Sequence, residues 1–476
     1  MYDRSSFLKS FVWKLLEKGS VQMVTLVVSI LLARWLYPED YGVIALIIIF
    51  ISLAEVISDG GFNMALIQKK EANETDFSTI FYISLGVSLL LYLILFFISP
   101  FISRFYNMES LTKVIRVLSL SLPFYALNSI QRAYVARKML FDKLFVSSLV
   151  AAILSGAIGC WMALSGFGVW ALVSQKISNQ FFITITMWYT VKWRPNLSFS
   201  LHSFKTLFGF GWKIFLTNLI ITIFVKIRHL IIGKMFTPSN LAYFERGEQF
   251  PSFIGDNLIS AIQSVLLPTL SERQDDRERV KSIMRRSTKS SAFIICPLMI
   301  GLFVVAKPLT LWLLTEKWLP VVPFIQIMCV SNIFKPLTIS NAEAIKALGY
   351  SDITLKLEIF KKIIDVIILV ISCQIGLVAI ACGVALYNFL CIFINLYPNI
   401  KLLDYKIKEQ IIDVLPSYIT AFIMGLSIFW MGNLEFRPIY ILIIQSITGF
   451  VVYVSINYIF KVESFTYLCN CIIKKK

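Results

Sequence analysis

The sequence predicts an all-α polytopic membrane protein: about 14 transmembrane helices, as two six-helix lobes related by pseudo-twofold symmetry plus two C-terminal helices. Three observations lead there. The chain has 476 residues, 57% of them hydrophobic and 15% charged, with mean hydropathy +0.76, which is more apolar surface than a soluble globule can bury. Its apolar residues fall in runs near the roughly 20 that a bilayer's hydrocarbon core requires. A short turn, ARWLYPEDYG at 33–42, also returns 200 residues later as GKMFTPSNLA at 233–242, with its proline in the same place.

Apolar windows between charged or turn-rich breaks place the spans in order. The first, 13–36, follows the start MYDRSSFLKSFVWKLLEKGS, which has acidic and basic residues well into the helix and no A-x-A site, so it is expected to remain a span and not a cleaved leader. The first proline turn leads into 43–66, which ends before Lys69 and Lys70. Spans 78–102 and 111–134 flank Arg104, and Arg137 and Lys138 precede 144–165 and 168–191. After Lys192 and Arg194, spans 206–233 and 240–268 flank the second proline turn. The longest break, SERQDDRERVKSIMRRSTKS at 271–290, reads as a charged cytoplasmic linker and leaves no room for a sizeable soluble domain. Spans 290–314, 321–348, 356–374, 376–399, 414–432 and 438–460 complete the set.

Lys and Arg then orient the spans, because short cytoplasmic loops retain them. One side collects Arg4 and Lys9, Lys69 and Lys70, Arg132 to Lys143, Lys192 to Lys205, Arg273 to Lys289, Lys346 and Lys356, Lys401 to Lys408, Lys461 and Lys474 to Lys476. The other holds only Arg104, Lys113, Lys317, Arg437 and a few residues at helix ends. Both termini are therefore expected in the cytoplasm. The same distribution argues against nucleic acid as a partner despite a formal charge of +17, since the basic residues are scattered over loops and not gathered on one face. The eight cysteines lie mostly singly within apolar runs and read as small buried hydrophobes; only CNC at 469–471 is close-paired. The sequon at Asn73 falls in a cytoplasmic loop, where glycosylation is not expected.

The turn is one of three echoes in the same order. LPFYALNSIQ at 122–131 falls on KPLTISNAEA at 335–344, matching Pro123 to Pro336 and Asn128 to Asn341. GVWALV at 168–173 falls on GLVAIA at 376–381. The expected divisions are an N-lobe at 1–200 with helices 1–6, a C-lobe at 201–405 with helices 7–12, and C-terminal helices 13 and 14 with a basic tail at 406–476. Parallel repeats of this kind place substrate between them near the midplane.

Charge at bilayer depth costs about 2.5–3.5 kcal/mol on insertion scales and is expected to face protein or water. Lys18, Gln22, Thr25 and Ser29 form one stripe on the first helix, and Asn218, Thr222, Val225 and His229 form the corresponding stripe of the seventh. They are expected either to line a wet cleft or to join helices as polar glue. Glu55 and Asp59 on the second helix, and Glu245, Glu248 and Asp256 on the eighth, are candidate proton or cation sites, the alternative being ion pairs that merely hold helices together. Of the basic residues within spans, Arg116, Lys226, Arg228, Arg246 and Lys335, with Lys18, are candidates for holding an anionic phosphate headgroup; Lys176 is a further basic residue, while Lys213 and Lys307 lie toward span ends, where they can snorkel.

There is no GxxxxGK[ST] loop, HExxH or nucleophile elbow, and the two histidines, His202 and His229, leave little for acid–base chemistry. No enzyme activity, cofactor or metal is expected. Energy would come from a proton or sodium gradient or from the substrate's own.

LLARWLYPEDYGVIAL (31–46), LAEVISDGGFNMALIQKKE (53–71) and IQRAYVARKMLFDKL (130–144) resemble the bacterial polysaccharide transporter family. These are the O-antigen and exopolysaccharide flippases of the multidrug/oligosaccharidyl-lipid/polysaccharide exporter superfamily. The resemblance implies a multi-pass protein of the bacterial inner membrane that moves an undecaprenyl-diphosphate-linked oligosaccharide to the outer leaflet by alternating access. It implies lipid-linked oligosaccharide, membrane lipid and other polysaccharide-assembly proteins as partners. The competing readings are a cation-coupled small-molecule or drug antiporter of the same superfamily, which needs less cleft charge, a membrane polysaccharide polymerase or ligase, which needs a long outer loop absent here, and a structural scaffold, which leaves the buried charge unexplained.

Overall fold

The computed structural model describes residues 4–434 and 436–467, side chains excepted at 4–12, 15 and 433. The tail, including CNC at 469–471 and Lys474 to Lys476, lies outside the described residues. Among the described residues the only regular elements are helices, which run in order: α1 Arg4–Trp35, α2 Pro38–Asp59, α3 Phe62–Gln68, α4 Glu74–Tyr106, α5 Ser110–Leu118, α6 Ser121–Lys138, α7 Phe141–Leu164 and α8 Val169–Thr190. They continue with α9 Leu201–Met235, α10 Pro238–Ser271, α11 Arg277–Leu313, a 3-10 turn at Glu316–Val321, α12 Val322–Ile333, α13 Lys335–Ala347, α14 Ser351–Ile375 and α15 Leu377–Leu403. Last come α16 Ile407–Phe429, a 3-10 turn at Trp430–Asn433 and α17 Pro438–Ile459.

Three expected spans are each built from two consecutive helices: α2 with α3, α5 with α6, and α12 with α13. Twelve of the resulting rods among the described residues are long and apolar enough to cross a membrane. The two that fall short are α8, which carries Gln175, Lys176, Asn179 and Gln180, and α14, which carries Glu358, Lys361, Lys362 and Asp365. The break after α2 has a local cause: Gly60 and Gly61 both take positive φ, at 53° and 73°, which ends one helix and redirects the next.

Element boundaries follow the echoes. α1 ends at Trp35 and α9 at Met235, and both following helices begin on proline, Pro38 and Pro238. Proline suits the first helical position, where its missing N–H has no partner to lose. α8 and α15 likewise start directly after Gly168 and Gly376.

By contact the chain separates into two compact units, Met1–Ala242 and Tyr243–Lys476. α9, expected to open the C-lobe, packs on α2, α3 and α4 within the first unit. Glycines allow the close approaches here, Gly42 of α2 to the start of α10 and Gly61 before α3 to α9. A Cβ on Gly42 would stand 1.8 Å from the Pro238 carbonyl oxygen, and one on Gly61 would stand 2.2 Å from that of Gly211. The two proline turns singled out by their recurrence therefore touch. We expect Gly42→Ala to lower the stability of the purified protein by about 1–3 kcal/mol through overpacking. Gly86→Ala, whose Cβ would meet nothing within 4 Å, should leave the melting temperature unchanged or raise it.

Among the described residues, the core of the first unit includes two clusters, one around Leu32, Ile44, Leu111 and Leu122, the other around Leu66, Phe77, Ile130 and Trp193. The stretches LIQKK and YVARK meet at the second. Arg137 donates from Nη1 to the Leu66 carbonyl at 2.7 Å and from Nη2 to that of Lys70 at 2.7 Å, closing the carbonyl end of α3. Asn73 of the sequon caps α4, its Oδ1 accepting the Asp76 N–H at 2.8 Å.

In the second unit, the expected linker at 271–290 proves largely helical. α10 runs to Ser271, and α11 starts at Arg277 and continues unbroken for 37 residues. Asp276 caps it, accepting the Arg279 N–H at 3.0 Å, and the Arg, Lys and Glu residues that marked the segment as a loop are good helix formers. The C-terminal helices α16 and α17 both pack on α11. α16 lies along α11 and is tied to it by Asp413, only 3% exposed, which accepts from Arg285 Nε and Nη2 at 2.7 Å each. Lys289 stands 3.2 Å from the same carboxylate. Tyr405, between α15 and α16, donates its hydroxyl to Asp413; burial, with that carboxylate beside it, pushes the phenol well above its ordinary range, so it stays a donor. Four of the six described cysteines are buried and all six are free thiols; Cys382 departs from expectation in being exposed.

Candidate functional site

In the first unit, α2 places Glu55 and Asp59 one turn apart on one face, and both are half-buried. Asp59 Oδ1 accepts from Asn63 on α3 and from Ser129 Oγ on α6 at 3.4 Å, and Asn63 donates to Ser129 at 2.7 Å. Glu55 lies in the field of two cations, Arg132 on α6 and Lys176 on α8, and Tyr125 on α6 lies in the field of both carboxylates. The positive-inside pattern counts Arg132 as a loop charge. It is instead a half-buried helix residue beside a membrane carboxylate.

Next to this group is a cavity of about 470 Å³ between α1, α3, α6, α7 and α8, with Lys14, Thr25, Asn63, Arg132, Ser148 and Asn179 on its wall. Thr25 comes from the polar stripe of the first helix; Lys18, from the same stripe, is exposed. Asn63 and Arg132 belong both to the cavity and to the carboxylate group, which links the two.

The other candidates of this unit stand apart. Arg116 bonds the Phe96 carbonyl at 3.3 Å and Ser99 Oγ at 3.1 Å and stacks 4.3 Å over the Phe96 ring, so its guanidinium serves the α4–α5 contact. Lys226 and Arg228 lie half-buried on α9, and His229 beside them is buried. Lys226 has no hydrogen-bond or ion-pair partner among the described residues.

In the second unit, two residues assigned opposite roles by the sequence turn out to be partners. Lys335, at the start of α13, pairs with Asp256 of α10 at 2.6 Å; Asp256 is 62% exposed and Lys335 24%. Arg246, 9% exposed, donates to Gln249 Oε1 at 2.7 Å and stacks 5.8 Å from the Trp318 ring. Glu245 and Glu248 are half-buried on the same helix, toward its start.

The sequence reading passed over two groups. Glu343 on α13 is 3% exposed and accepts from Gln263 and from Lys346, each at 2.9 Å. On α14, Lys361 is buried and donates to Glu358, with Lys362 and Asp365 on the next turn. The available signal for the second group is five charges, Lys356 included, within the single expected span 356–374. Among the described residues no cluster of His, Cys, Asp and Glu is disposed to hold a metal ion.

Residues 31–323 match the family described as "Polysaccharide biosynthesis protein". The chain is 26% identical over 321 residues to the succinoglycan biosynthesis transport protein ExoT of Rhizobium meliloti (strain 1021), a match that takes in 67% of this chain and 65% of that protein. It is 22% identical over 423 residues to the lipopolysaccharide biosynthesis protein WzxC of Escherichia coli (strain K12), covering 86% of this chain and 84% of the relative. Among solved structures, the lipid II flippase MurJ in an inward closed conformation superposes with a TM-score of 0.76 at 16% identity, over 94% of this chain and 98% of that one, so the two share a fold.

Proposed function

Because the chain belongs to the polysaccharide biosynthesis protein family, we propose that it is a flippase. It carries an undecaprenyl-diphosphate-linked oligosaccharide, an O-antigen, capsule or exopolysaccharide repeat unit, from the cytoplasmic to the outer leaflet of the bacterial inner membrane by alternating access. Both termini are cytoplasmic, and proteins of polysaccharide assembly supply the substrate and remove it. The protein moves its substrate without altering a bond.

The observation that carries this reading is that carboxylates on membrane helices are held in the field of cations in each unit: Glu55 with Arg132 and Lys176 in one, Asp256 with Lys335 in the other. A polyprenyl tail can stay in lipid, whereas a diphosphate and its sugars must be met by charge and hydrogen bonds wherever lipid is excluded. A diphosphate competes with a carboxylate for the same ammonium or guanidinium. Arrival of substrate at Lys335 releases Asp256, and a carboxylate so released takes up a proton or cation more readily. Substrate and coupling ion then favour the same state, the one in which the pair is broken, so each raises the occupancy of the other.

Two consequences follow for that pair. Lys335→Gln is expected to weaken binding of the lipid-linked oligosaccharide about tenfold, the loss of one charge-assisted contact. Asp256→Asn removes the competitor and should tighten binding while slowing turnover. Equilibrium binding and translocation rates on the two purified variants check this. The function itself is tested by expressing the chain in a flippase-deficient strain: restored surface glycan supports it, while lipid-linked oligosaccharide still accumulating inside despite normal protein abundance contradicts it.

A further inference from the structure

The helical extension of α11 carries a charge cluster that the transport reading does not use. At about 1.5 Å per residue the helix is about 55 Å long, well beyond the roughly 30 Å of a hydrocarbon core. Its apolar run starts at Ala292, so Lys281, Arg285, Arg286 and Lys289 lie below it on successive turns, at headgroup depth. Together with Lys461 and Tyr467 from the segment after α17, they line a cavity of about 980 Å³.

Carboxylates behind and beside this row hold some of its members in place. Asp413 fixes Arg285 and Lys289, Glu409 lies 3.5 Å from Lys281, and Glu463 at the rim pairs with Lys289 at 2.6 Å; Glu278 also faces the cavity. Arg286 and Lys461 have no carboxylate partner among the described residues. Arg286 is held from one side by the Tyr467 ring, whose centroid lies 3.5 Å from its guanidinium carbon. The cavity shares Lys289, Glu463 and Ser464 with a neighbouring groove of about 590 Å³ between α16 and the end of α17. That groove is walled by Ile412, Leu415, Ile419, Ile456 and Phe460. A basic chamber that opens onto an apolar groove at headgroup depth matches a molecule with a phosphate at one end and acyl chains at the other.

We propose that this chamber binds the phosphate of an anionic glycerophospholipid of the inner leaflet, with Arg286 and Lys461 as its principal contacts and the lipid's chains in the α16–α17 groove. The lipid is a resident ligand, distinct from the transported one. Its leaflet follows from the orientation proposed above, but its binding does not depend on transport.

The test uses the full-length protein in nanodiscs of phosphatidylcholine with or without one quarter phosphatidylglycerol, and reads retained lipid by native mass spectrometry. The wild type is expected to retain phosphatidylglycerol over phosphatidylcholine. Arg286→Gln with Lys461→Gln should lower that retention about tenfold or more. Neither residue has an ion pair to lose, so folding should be unaffected, as the melting temperature will report; Lys113→Gln, on the exposed face of α5, should bind as the wild type does. Equal retention of the two lipids, or an unchanged double variant, overturns the proposal. Displacement of the retained lipid by millimolar inorganic phosphate also overturns it, since the chamber would then be a site for a soluble anion. Because no translocation is measured, these outcomes are independent of whether the chain is a flippase.

Discussion

Asp413→Ala is expected to destabilise the second unit by about 3 kcal/mol, more than any other single charge removal described above. The carboxylate is 3% exposed and accepts two parallel bonds from Arg285, another contact from Lys289 and the Tyr405 hydroxyl. Its loss leaves two neighbouring cations of α11 and a phenol without their shared acceptor. Arg285 is 39% exposed and can turn partly to water, which keeps the cost at the lower end of the range for broken buried pairs. Arg285→Met together with Asp413→Leu should recover most of the loss, because a well-packed apolar pair replaces a satisfied ionic one at little net cost. Thermal unfolding of the three variants in one detergent checks the sequence single, double, wild type.

Glu55→Gln is expected to reduce translocation at least tenfold at normal protein abundance and to remove what remains of its dependence on an imposed ion gradient. Glutamine keeps the shape and one hydrogen-bond acceptor of the side chain but cannot exchange a proton or neutralise a cation. Arg132 is then the diagnostic partner. If the two act through one another, Arg132→Gln and the double variant should be no worse than Glu55→Gln alone, whereas independent roles would make the losses multiply. Asp59→Asn should have a smaller effect, since its contacts are with Asn63 and Ser129, which an amide can also satisfy.

The rods and their order were legible because their signals are local. An apolar run of about 20 residues, a proline at a helix start and a glycine before one are read without knowing what lies opposite. For the same reason the recurrence of the turn at a spacing of 200 residues survived into the structure as matching helix ends at Trp35 and Met235. What was not legible depended on partners. Arg132 and Arg137 look alike to a rule that counts basic residues near loops, yet one faces Glu55 and the other closes α3. Asp256 and Lys335 were separated into two roles because 79 residues divide them, and only the packing of α10 on α13 makes them a pair. The reverse holds at 271–290, where dense charge suggests a loop but most of the segment is helix. Charged residues with strong helix propensity extend a helix into water as readily as they end one, and only the Asp276 cap marks where α11 begins.

The close approach of α2 to the start of α10 also acquires meaning. Gly42 appears in the sequence as part of a turn, and its recurrence partner is Ala242, which needs no glycine. The structural reason for Gly42 is the Pro238 carbonyl that would overlap a side chain there.

The most direct test of the account is translocation by the purified wild-type chain. The protein is placed in vesicles loaded with an undecaprenyl-diphosphate-linked oligosaccharide, a proton or sodium gradient is imposed, and the appearance of the sugar on the opposite leaflet is followed with an impermeant glycosidase or lectin. The account predicts transfer well above that of protein-free vesicles, accelerated by one of the gradients and insensitive to it in Glu55→Gln. Transfer no faster than in empty vesicles, with the same preparation exporting a cationic drug under either gradient, would contradict it.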